Sequence, residues 1–219
     1  MNRKIKIILV DDHNLFRESL SFLLSKSKKI EIIAEAENGE VFLKLLDKMI
    51  PDVVLMDINM PNMDGIEATK RALERYPNLK IIALSMNGDE AYYYKMIQVG
   101  AKGFVLKKAS SEELEEAIGT VLNGNDFFSP ELMKNIIINF GSTKEIKTDK
   151  GPKYINLSNR ENDVLKLICN GFTTKEISNM LFISTRTVEG HKSRIMDKLD
   201  AQNTANIIIQ AIRNKLIDI

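Results

Sequence analysis

The stretch Val53-Val54-Leu55-Met56-Asp57-Ile58-Asn59-Met60-Pro61 decides the fold of this chain. Its first four residues are all apolar, which is typical of a short strand buried on both faces of a parallel sheet. The strand ends at Asp57, and ligands of open α/β sheets bind outside the carboxyl ends of the strands. Asp57 is therefore expected at the edge of the sheet, where its carboxylate is ionised and reactive.

The rest of the N-terminal half repeats this pattern, with a short apolar run followed by a helical one. Four more strands are predicted, from Lys6 to Val10, Ile30 to Ala36, Lys80 to Leu84 and Gly103 to Leu106. Because strand and helix alternate five times, we expect an α/β fold, a doubly wound, five-stranded parallel sheet with right-handed crossovers.

The C-terminal part has a different pattern, and the 219 residues fit two domains. Residues 141–153 are rich in Lys, Thr, Ser and Gly and poor in apolar side chains, as expected of a linker. Beyond them, apolar spacing predicts helices at 159–170, 174–181, 185–199 and 203–215, with no strand. We therefore expect a first domain at 1–125, a linker with a short helix (131–140) at 126–156, and a small all-α four-helix domain at 157–219.

The composition excludes several classes of protein. Lys and Arg number 31 against 30 Asp and Glu, so the whole chain is no polycation. Residues 1–125 carry a net charge of −2 and residues 126–219 a net charge of +3, which permits a nucleic-acid partner for the C-terminal part. No apolar run reaches the roughly 18 residues that a membrane span requires, and we expect no signal peptide because the residues before the first strand contain no hydrophobic region of that kind. With the lone Cys169 as a core residue, we expect a cytoplasmic protein.

Polar side chains follow four of the predicted strands: Asp11 and Asp12 after the first, then Asp57, Ser85 and Lys107. These strand ends meet at one edge of a parallel sheet, so the carboxylates converge and repel one another. A site with a small number of oxygen ligands that is open to water suits Mg²⁺, and a bound Mg²⁺ would relieve the repulsion between the carboxylates. Asp57 is the best nucleophile candidate, because a carboxylate can attack phosphorus to give an aspartyl phosphate. Lys107 and Mg²⁺ can stabilise the charge of the transferring phosphoryl group, and Ser85 can hydrogen-bond one of the phosphoryl oxygens.

Taken singly, each of these residues has an ordinary role as a turn residue, a helix cap or a solvated lysine, and His13 fits a loop or cap better than a metal ligand. Their occurrence together at successive strand ends favours a shared phosphoryl-binding site.

Two other functions also fit these residues. One is a Mg²⁺-dependent phosphatase with an aspartyl intermediate, although such enzymes typically have a second acid where this chain has Asn59. The other is an interaction module in which phosphorylation has lost its role.

The predicted helices at 174–181 and 185–199 are joined by a tight connection. Thr173 or Thr174 is expected to cap the first helix, and Ser184 the second. The second helix is expected to turn Val188, Ile195 and Leu199 inward. Its polar residues are expected to face solvent: Arg186, Glu189, His191, Lys192, Ser193 and Arg194. An exposed basic helix after a short turn is the layout of a recognition helix for the DNA major groove, although a solvated bundle helix has the same pattern.

The first half of the chain resembles the receiver domain of bacterial response regulators. The matching segments are Leu9 to His13, Leu55 to Gly65, Ala83 to Ser85 and Gly100 to Lys107. The resemblance implies a flavodoxin-like strand order of 2-1-3-4-5 and an Asp57 that accepts a phosphoryl group from a sensor histidine kinase. The implied Mg²⁺ ligands are Asp12, Asp57 and the backbone carbonyl of Asn59, with Asp11 in support. Ser85 and Phe104 occupy the switch positions beside Lys107, and Phe104 is expected to favour the inward position because it has no hydroxyl.

The second half resembles LuxR-type helix-turn-helix domains. The matching segments are Leu157 to Leu165, Lys175 to Ile177, Thr187 to His191 and Lys198-Leu199. A receiver with this domain is similar to the NarL/FixJ family. That implies a transcriptional regulator rather than an enzyme, one that binds double-stranded DNA and forms a homodimer when phosphorylated. The implied DNA-binding residues are Thr174, Lys175, Thr185, Arg186, Glu189, Lys192, Ser193 and Arg194.

Side-chain chemistry suggests roles for some of these residues. Glu189 has the acceptor that a cytosine amino group requires, Lys192 or Arg194 suits phosphate or guanine, and Lys175 suits phosphate. The net charge from Leu157 onward is only +2, so useful affinity is expected to need a dimer on paired half-sites. The last helix is expected to expose an apolar set that contributes to the dimer contact: Ile207, Ile208, Ala211 and Ile212.

Overall fold

A computed structural model describes residues 3–86, 90–128 and 155–217. The chain divides into two compact units after Phe128. The helix predicted at 131–140 and the predicted linker at 141–153 lie outside the described residues.

The first unit is a parallel sheet in which a helix follows every strand. Its described strands are β1 (Ile5–Val10), β2 (Ile30–Ala36), β3 (Val53–Asp57), β4 (Ile81–Ser85) and β5 (Gly103–Leu106). Its described helices are α1 (Asn14–Ser25), α2 (Gly39–Leu46), α3 (Gly65–Arg75), α4 (Glu90–Val99) and α5 (Ser111–Leu122). The five described strands are parallel and lie in the order β2-β1-β3-β4-β5, which confirms the predicted fold class and strand order.

Two apolar cores cover the two faces of this sheet. Successive residues of a strand point to opposite faces, so Val54 and Met56 of β3 join α2 and α3 in one core. Val53 and Leu55 join α1 and α5 in the other core. Because helices cover both faces, every residue of β3 is buried, which explains the uninterrupted apolar run that ends at Asp57.

The first unit extends beyond the predicted boundary at residue 125. The backbone N–H of Phe127 donates to the carbonyl of Lys102 (2.8 Å), and the N–H of Phe104 donates to the carbonyl of Phe127 (2.9 Å). The segment after α5 therefore pairs with β5 and covers that edge of the sheet, which places the end of the unit at Phe128.

The described part of the second unit contains the helices α6 (Asn159–Cys169), α7 (Thr174–Leu181), α8 (Thr185–Leu199) and α9 (Thr204–Arg213). The prediction that α9 exposes its apolar residues is wrong. Ile207, Ile208 and Ala211 are buried in the core of this unit, and Ile212 packs against that core. With only four short helices described, the last one is needed to close the core. No described helix is both long enough and apolar enough to cross a membrane.

Candidate functional site

The sheet places the predicted site residues next to one another. In the strand register Val10 pairs with Met56, Asp57 with Leu84, and Ser85 with Leu106. The acids that follow β1, the acid that ends β3, the serine that ends β4 and the lysine that follows β5 therefore occupy one edge of the sheet.

Lys107 joins two of the acids. Its Nζ lies 2.7 Å from Oδ2 of Asp11 and 2.9 Å from Oδ2 of Asp57, and its side chain is only 3% exposed. The backbone N–H of Lys107 donates to the carbonyl of Ser85 (2.8 Å), so the backbone at the end of β4 also fixes its position. The cation is thereby held between carboxylates that come from different strands.

Asp57 is buried at this edge, with only 4% of its surface exposed. Burial raises the pKa of Asp57, while the hydrogen bond and charge of Lys107 oppose the rise and the charge of Asp11 adds to it. The backbone N–H of Ile58 donates to Oδ1 of Asp57 (2.8 Å), which also lowers this pKa. A carboxylate with a raised pKa is more basic than an ordinary one, and an added cation nearby would hold it ionised.

The acidic cluster fits a hard divalent cation. Asp11, Asp12, His13 and Asp57 each offer a ligand atom, and these atoms lie within 4.8 Å of one another. Oδ1 of Asp12 is a buried oxygen that accepts no hydrogen bond from the residues that the structure describes, as expected of an atom that faces a cation. His13 is the N-cap of α1, with Nδ1 3.3 Å from that oxygen. The carboxylate donors suit Mg²⁺. Asn59, the predicted carbonyl ligand, is exposed in the loop after β3.

Two residues that support the cluster are missed by sequence reasoning. Arg17 donates to the backbone carbonyl of Asp11 (2.6 Å) and to Oε2 of Glu35 (3.0 Å), which ties the end of β1 to α1 and β2. The backbone of Gly65 passes so close to Asp57 that a Cβ at this position would lie 2.0 Å from the Asp57 carbonyl oxygen. A glycine between an acidic loop and a helix is a weak sequence signal for a close backbone contact of this kind. No sequence signal predicts the contacts of Arg17.

The two predicted switch residues lie beside this cluster. Ser85 is buried at the end of β4. Phe104 is only 6% exposed, and its ring packs edge-on against Tyr93 of α4 with the ring centroids 3.9 Å apart and the planes at 83°. The ring is therefore in the inward position that the missing hydroxyl leads us to expect, with Tyr93 as its neighbour.

In the second unit, α7 and α8 form the predicted helix-turn-helix. Thr173 caps α7 in a capping box with Glu176, and Ser184 caps α8 by accepting from the N–H of Thr187 (3.0 Å). Thr174 is therefore not the cap. Its hydroxyl instead donates to Oε1 of Glu189 on α8 (2.6 Å), a contact that links the two helices.

The burial of α8 agrees with the prediction for its inward residues, but three residues that were predicted to face solvent are half-buried or buried. Val188, Ile195 and Leu199 are buried as predicted. The exposed DNA-binding candidates are Lys175, Thr185, Arg186, Ser193 and Arg194, whereas Thr174, Glu189 and His191 are half-buried. The prediction that Lys192 faces solvent is wrong, because it is 8% exposed. Lys192 lies on the inward stripe at the helical spacing of Val188 and Ile195, so its stem packs inside.

A buried acid anchors the start of this unit. Oε2 of Glu161 accepts hydrogen bonds from Nζ of Lys198 (2.7 Å) and from the N–H of Ser158 (2.8 Å). These contacts lower the pKa of Glu161 to about 2. Lys198 also donates to the carbonyl of Asn156 (2.9 Å). The capping-box spacing of Ser158 and Glu161 is visible in the sequence, but the contact with Lys198 is not.

Known proteins match both units. The family described as "Response regulator receiver domain" matches residues 7–119, and the family described as "Bacterial regulatory proteins, luxR family" matches residues 155–211. The chain is 35% identical to the transcriptional regulatory protein DegU of Brevibacillus brevis, over 96% of this chain and 94% of that protein. It is also 35% identical to the oxygen regulatory protein NreC of Staphylococcus carnosus, over 98% of this chain and 100% of that protein.

A solved structure of two RcsB dimers bound to two parallel DNAs is also similar. It matches with a TM-score of 0.57 and 25% identity, over 94% of this chain and 97% of that chain. The relatives found are regulators rather than enzymes. The chain therefore belongs to the NarL/FixJ family of two-component response regulators, with a receiver domain and a LuxR-type DNA-binding domain.

Proposed function

We propose that a sensor histidine kinase phosphorylates Asp57 in a Mg²⁺-dependent reaction, and that the phosphorylated protein dimerises and binds double-stranded DNA. One observation carries the proposal. A buried lysine, Lys107, holds Asp57 and Asp11 together at the strand ends, next to an oxygen of Asp12 to which no group in the described part of the chain donates a hydrogen bond. We propose that the receiver domain ends at Phe128 instead of the predicted residue 125, that a linker follows up to residue 156, and that the DNA-binding domain covers 157–219. We also propose a cytoplasmic location, where the kinase and the chromosome are accessible.

The acids would hold the metal. Asp12, Asp57 and the backbone carbonyl of Asn59 are its ligands in this proposal, and Asp11 supports them through its contact with Lys107. When bound, Mg²⁺ neutralises charge on the acids and on the phosphoryl group that is being transferred.

Side-chain and backbone groups of this protein would then carry out the phosphoryl transfer. A carboxylate oxygen of Asp57 forms a bond to phosphorus while the phosphorus–nitrogen bond to the donor histidine breaks, and the electron pair stays on the imidazole nitrogen. The ammonium of Lys107, 2.9 Å from Asp57, stabilises the charge on the phosphoryl oxygens. The Ser85 hydroxyl donates to one of these oxygens. The N–H of Ile58 keeps the carboxylate oriented.

Phosphorylation is a local change of charge that biases a two-state element. In this chain the element is formed by Ser85, Phe104 and Tyr93. As the serine hydroxyl moves toward the phosphoryl group, the Phe104 ring is held inward against Tyr93, a contact that the structure already contains. The surface of α4 is therefore stabilised in one form, and that form favours dimerisation.

The DNA-binding surface is formed by α8 and the start of α7. Arg186, Ser193, Arg194 and Thr185 are exposed on α8, which enters the major groove in this proposal, and Lys175 contacts a phosphate. Because Lys192 is buried, we assign it no base contact. A net charge of +2 from Leu157 onward is small, so two copies on paired half-sites supply the affinity. The RcsB dimers seen on DNA are consistent with this arrangement.

The test compares wild type with Asp57→Ala, using acetyl phosphate and Mg²⁺ as the phosphodonor system. Sedimentation measures the oligomeric state, and fluorescence anisotropy measures affinity for duplexes selected from a random library. We expect dimers and tighter DNA binding for the wild type alone. Identical behaviour of the two proteins would support the interaction-module alternative. Rapid turnover of small phosphate esters would support the phosphatase.

A further inference from the structure

Thr174 and Glu189 form a hydrogen bond between the two helices of the helix-turn-helix. The hydroxyl of Thr174, the first residue of α7, donates to Oε1 of Glu189 on α8 at 2.6 Å. The cap of α7 does not need this hydroxyl. Thr173 provides the cap, accepting from the N–H of Glu176 (3.3 Å), while Glu176 accepts from the N–H of Thr173 (2.8 Å). The role of the Thr174 hydroxyl in these hydrogen bonds is therefore to hold Glu189.

The contact leaves half of the Glu189 carboxylate available. Among the described residues, none donates a hydrogen bond to Oε2 of Glu189, and the side chain is half-buried at the border of the exposed face. A free glutamate has several rotatable bonds and loses their freedom when it binds. Glu189 has lost part of that freedom before DNA arrives, so its second oxygen is a positioned acceptor.

The position of Glu189 on α8 is one that faces DNA. It lies in the first two turns of the second helix, and the N-terminal residues of such helices contact base edges in the major groove. The exposed residues Arg186 and Ser193 lie three residues before and four residues after it, which places all three on one side of the helix.

The charge of Glu189 selects the kind of base. A carboxylate is repelled by the phosphates of any duplex, so it favours only a site that offers it a donor. In the major groove only the amino groups of cytosine and adenine are donors. The adenine amino group lies beside the N7 acceptor, which repels a carboxylate, whereas cytosine presents its amino group alone. Cytosine is therefore the base that this acceptor fits.

We infer that Thr174 is a positioning residue that aims Oε2 of Glu189 at a cytosine amino group, so that the pair sets the preference for cytosine at one position of each half-site. This inference rests on the proposed DNA-binding function. Thr174 acts through Glu189 and makes no base contact of its own.

The test is selection of duplexes from a random library by the full-length protein treated with acetyl phosphate and Mg²⁺, followed by sequencing. For the wild type we expect one position in each half-site at which cytosine is preferred roughly tenfold. In Glu189→Gln, the amide oxygen can still accept from Thr174 while the amide nitrogen becomes a donor. The preference at that position is then expected to change from cytosine to a base with a major-groove acceptor, which is guanine, adenine or thymine.

Variants of Thr174 separate positioning from simple packing. Thr174→Val has the same shape without the hydroxyl, and we expect the cytosine preference to fall to two- or threefold while preferences at other positions remain. Thr174→Ser keeps the hydroxyl and should restore the wild-type preference. Thermal unfolding shows whether each variant is folded.

Two results would overturn the inference while leaving the proposed function intact. In the first, Glu189→Gln binds all sequences more tightly with an unchanged base preference, which would mean that Glu189 only repels DNA. In the second, Thr174→Val selects the same sequences as the wild type. Failure of the wild type to select any sequence would instead contradict the proposed DNA-binding function itself.

Discussion

The ammonium nitrogen of Lys107 lies 2.9 Å from Oδ2 of Asp57, and both side chains are almost excluded from solvent. Burial nevertheless raises the pKa of Asp57, since desolvation of the carboxylate outweighs the attraction of Lys107. An acid whose pKa is higher in the folded than in the unfolded state stabilises the fold when protonated, and that stability is lost as the pH rises through the folded pKa. Ionised Asp57 therefore destabilises the receiver domain at neutral pH.

Asp57→Asn should consequently stabilise the receiver domain at pH 7. We expect a gain of about 1 kcal/mol, or a rise of about 4 °C in the Tm of this 128-residue unit, measured by calorimetry on the full chain. The gain should disappear at acidic pH, where Asp57 is protonated. Mg²⁺ should raise the Tm of the wild type but not of the variant. Asp47→Asn, which removes an exposed carboxylate of the same domain, is the control and should change little. A loss of stability in Asp57→Asn at pH 7 would show that the ionised carboxylate stabilises the fold, contrary to this expectation.

Gly65→Ala should distort the site through a steric clash with the backbone of Asp57. The added methyl group would lie 2.0 Å from the carbonyl oxygen of Asp57, so the backbone at the end of β3 must move. We expect a loss of about 1–3 kcal/mol in unfolding free energy, together with slower phosphorylation by acetyl phosphate.

The matched control is Gly119→Ala in α5, where a Cβ meets no atom within 4 Å. Alanine favours a helix interior over glycine, so this variant should be unchanged or more stable by about 0.5–1 kcal/mol. Equal unfolding free energies and phosphorylation rates of the two variants would show that the close approach of Gly65 to the Asp57 carbonyl does not restrict the residue at position 65.

The DNA-binding domain should lose stability in acid through Glu161. Its pKa is lowered to about 2 by Lys198 and the N–H of Ser158, so its contribution is complete above the ordinary pKa of 4.5 and is lost as the pH falls toward 2. Hydrogen exchange of α8 amides in the full chain measures this. Glu161→Gln should be less stable at pH 7 by about 1.5–3 kcal/mol and should lack the decline between pH 4.5 and 2. Asp163→Asn, with an exposed carboxylate, should keep the wild-type profile.

Lys175→Ala should weaken DNA binding by a similar factor for every sequence. A lysine that contacts phosphate contributes affinity without base preference, and its loss should reduce the slope of log affinity against log salt by about one. Anisotropy titrations at several salt concentrations measure both effects. Lys166→Ala on α6 removes an exposed lysine outside the proposed interface and should keep the wild-type slope. A change in base preference for Lys175→Ala would assign this lysine a different role.

The sheet and its reactive edge are predictable because their signals are local. A buried parallel strand requires a continuous apolar run, and β3 has one. Because the described strands are parallel, their carboxyl ends lie at one edge of the sheet, so Asp57 and Lys107 meet although they come from the ends of different strands.

The contacts that sequence reasoning misses depend on how the helices pack. Glu161 and Lys198 are 37 residues apart and meet only because α6 packs on α8. Lys192 is charged, so its type predicts exposure, but its place on the inward stripe of α8 decides its burial. The bond between Thr174 and Glu189 likewise depends on the angle between two helices, which no short stretch of sequence contains.

The most direct test of the central claim is mass spectrometry of the full chain after incubation with acetyl phosphate and Mg²⁺. We expect one added phosphoryl group, located on the peptide that contains Asp57, absent from Asp57→Ala and greatly reduced when Mg²⁺ is chelated. An unmodified wild type, or the same added mass on Asp57→Ala, would contradict the assignment of Asp57 as the phosphoacceptor.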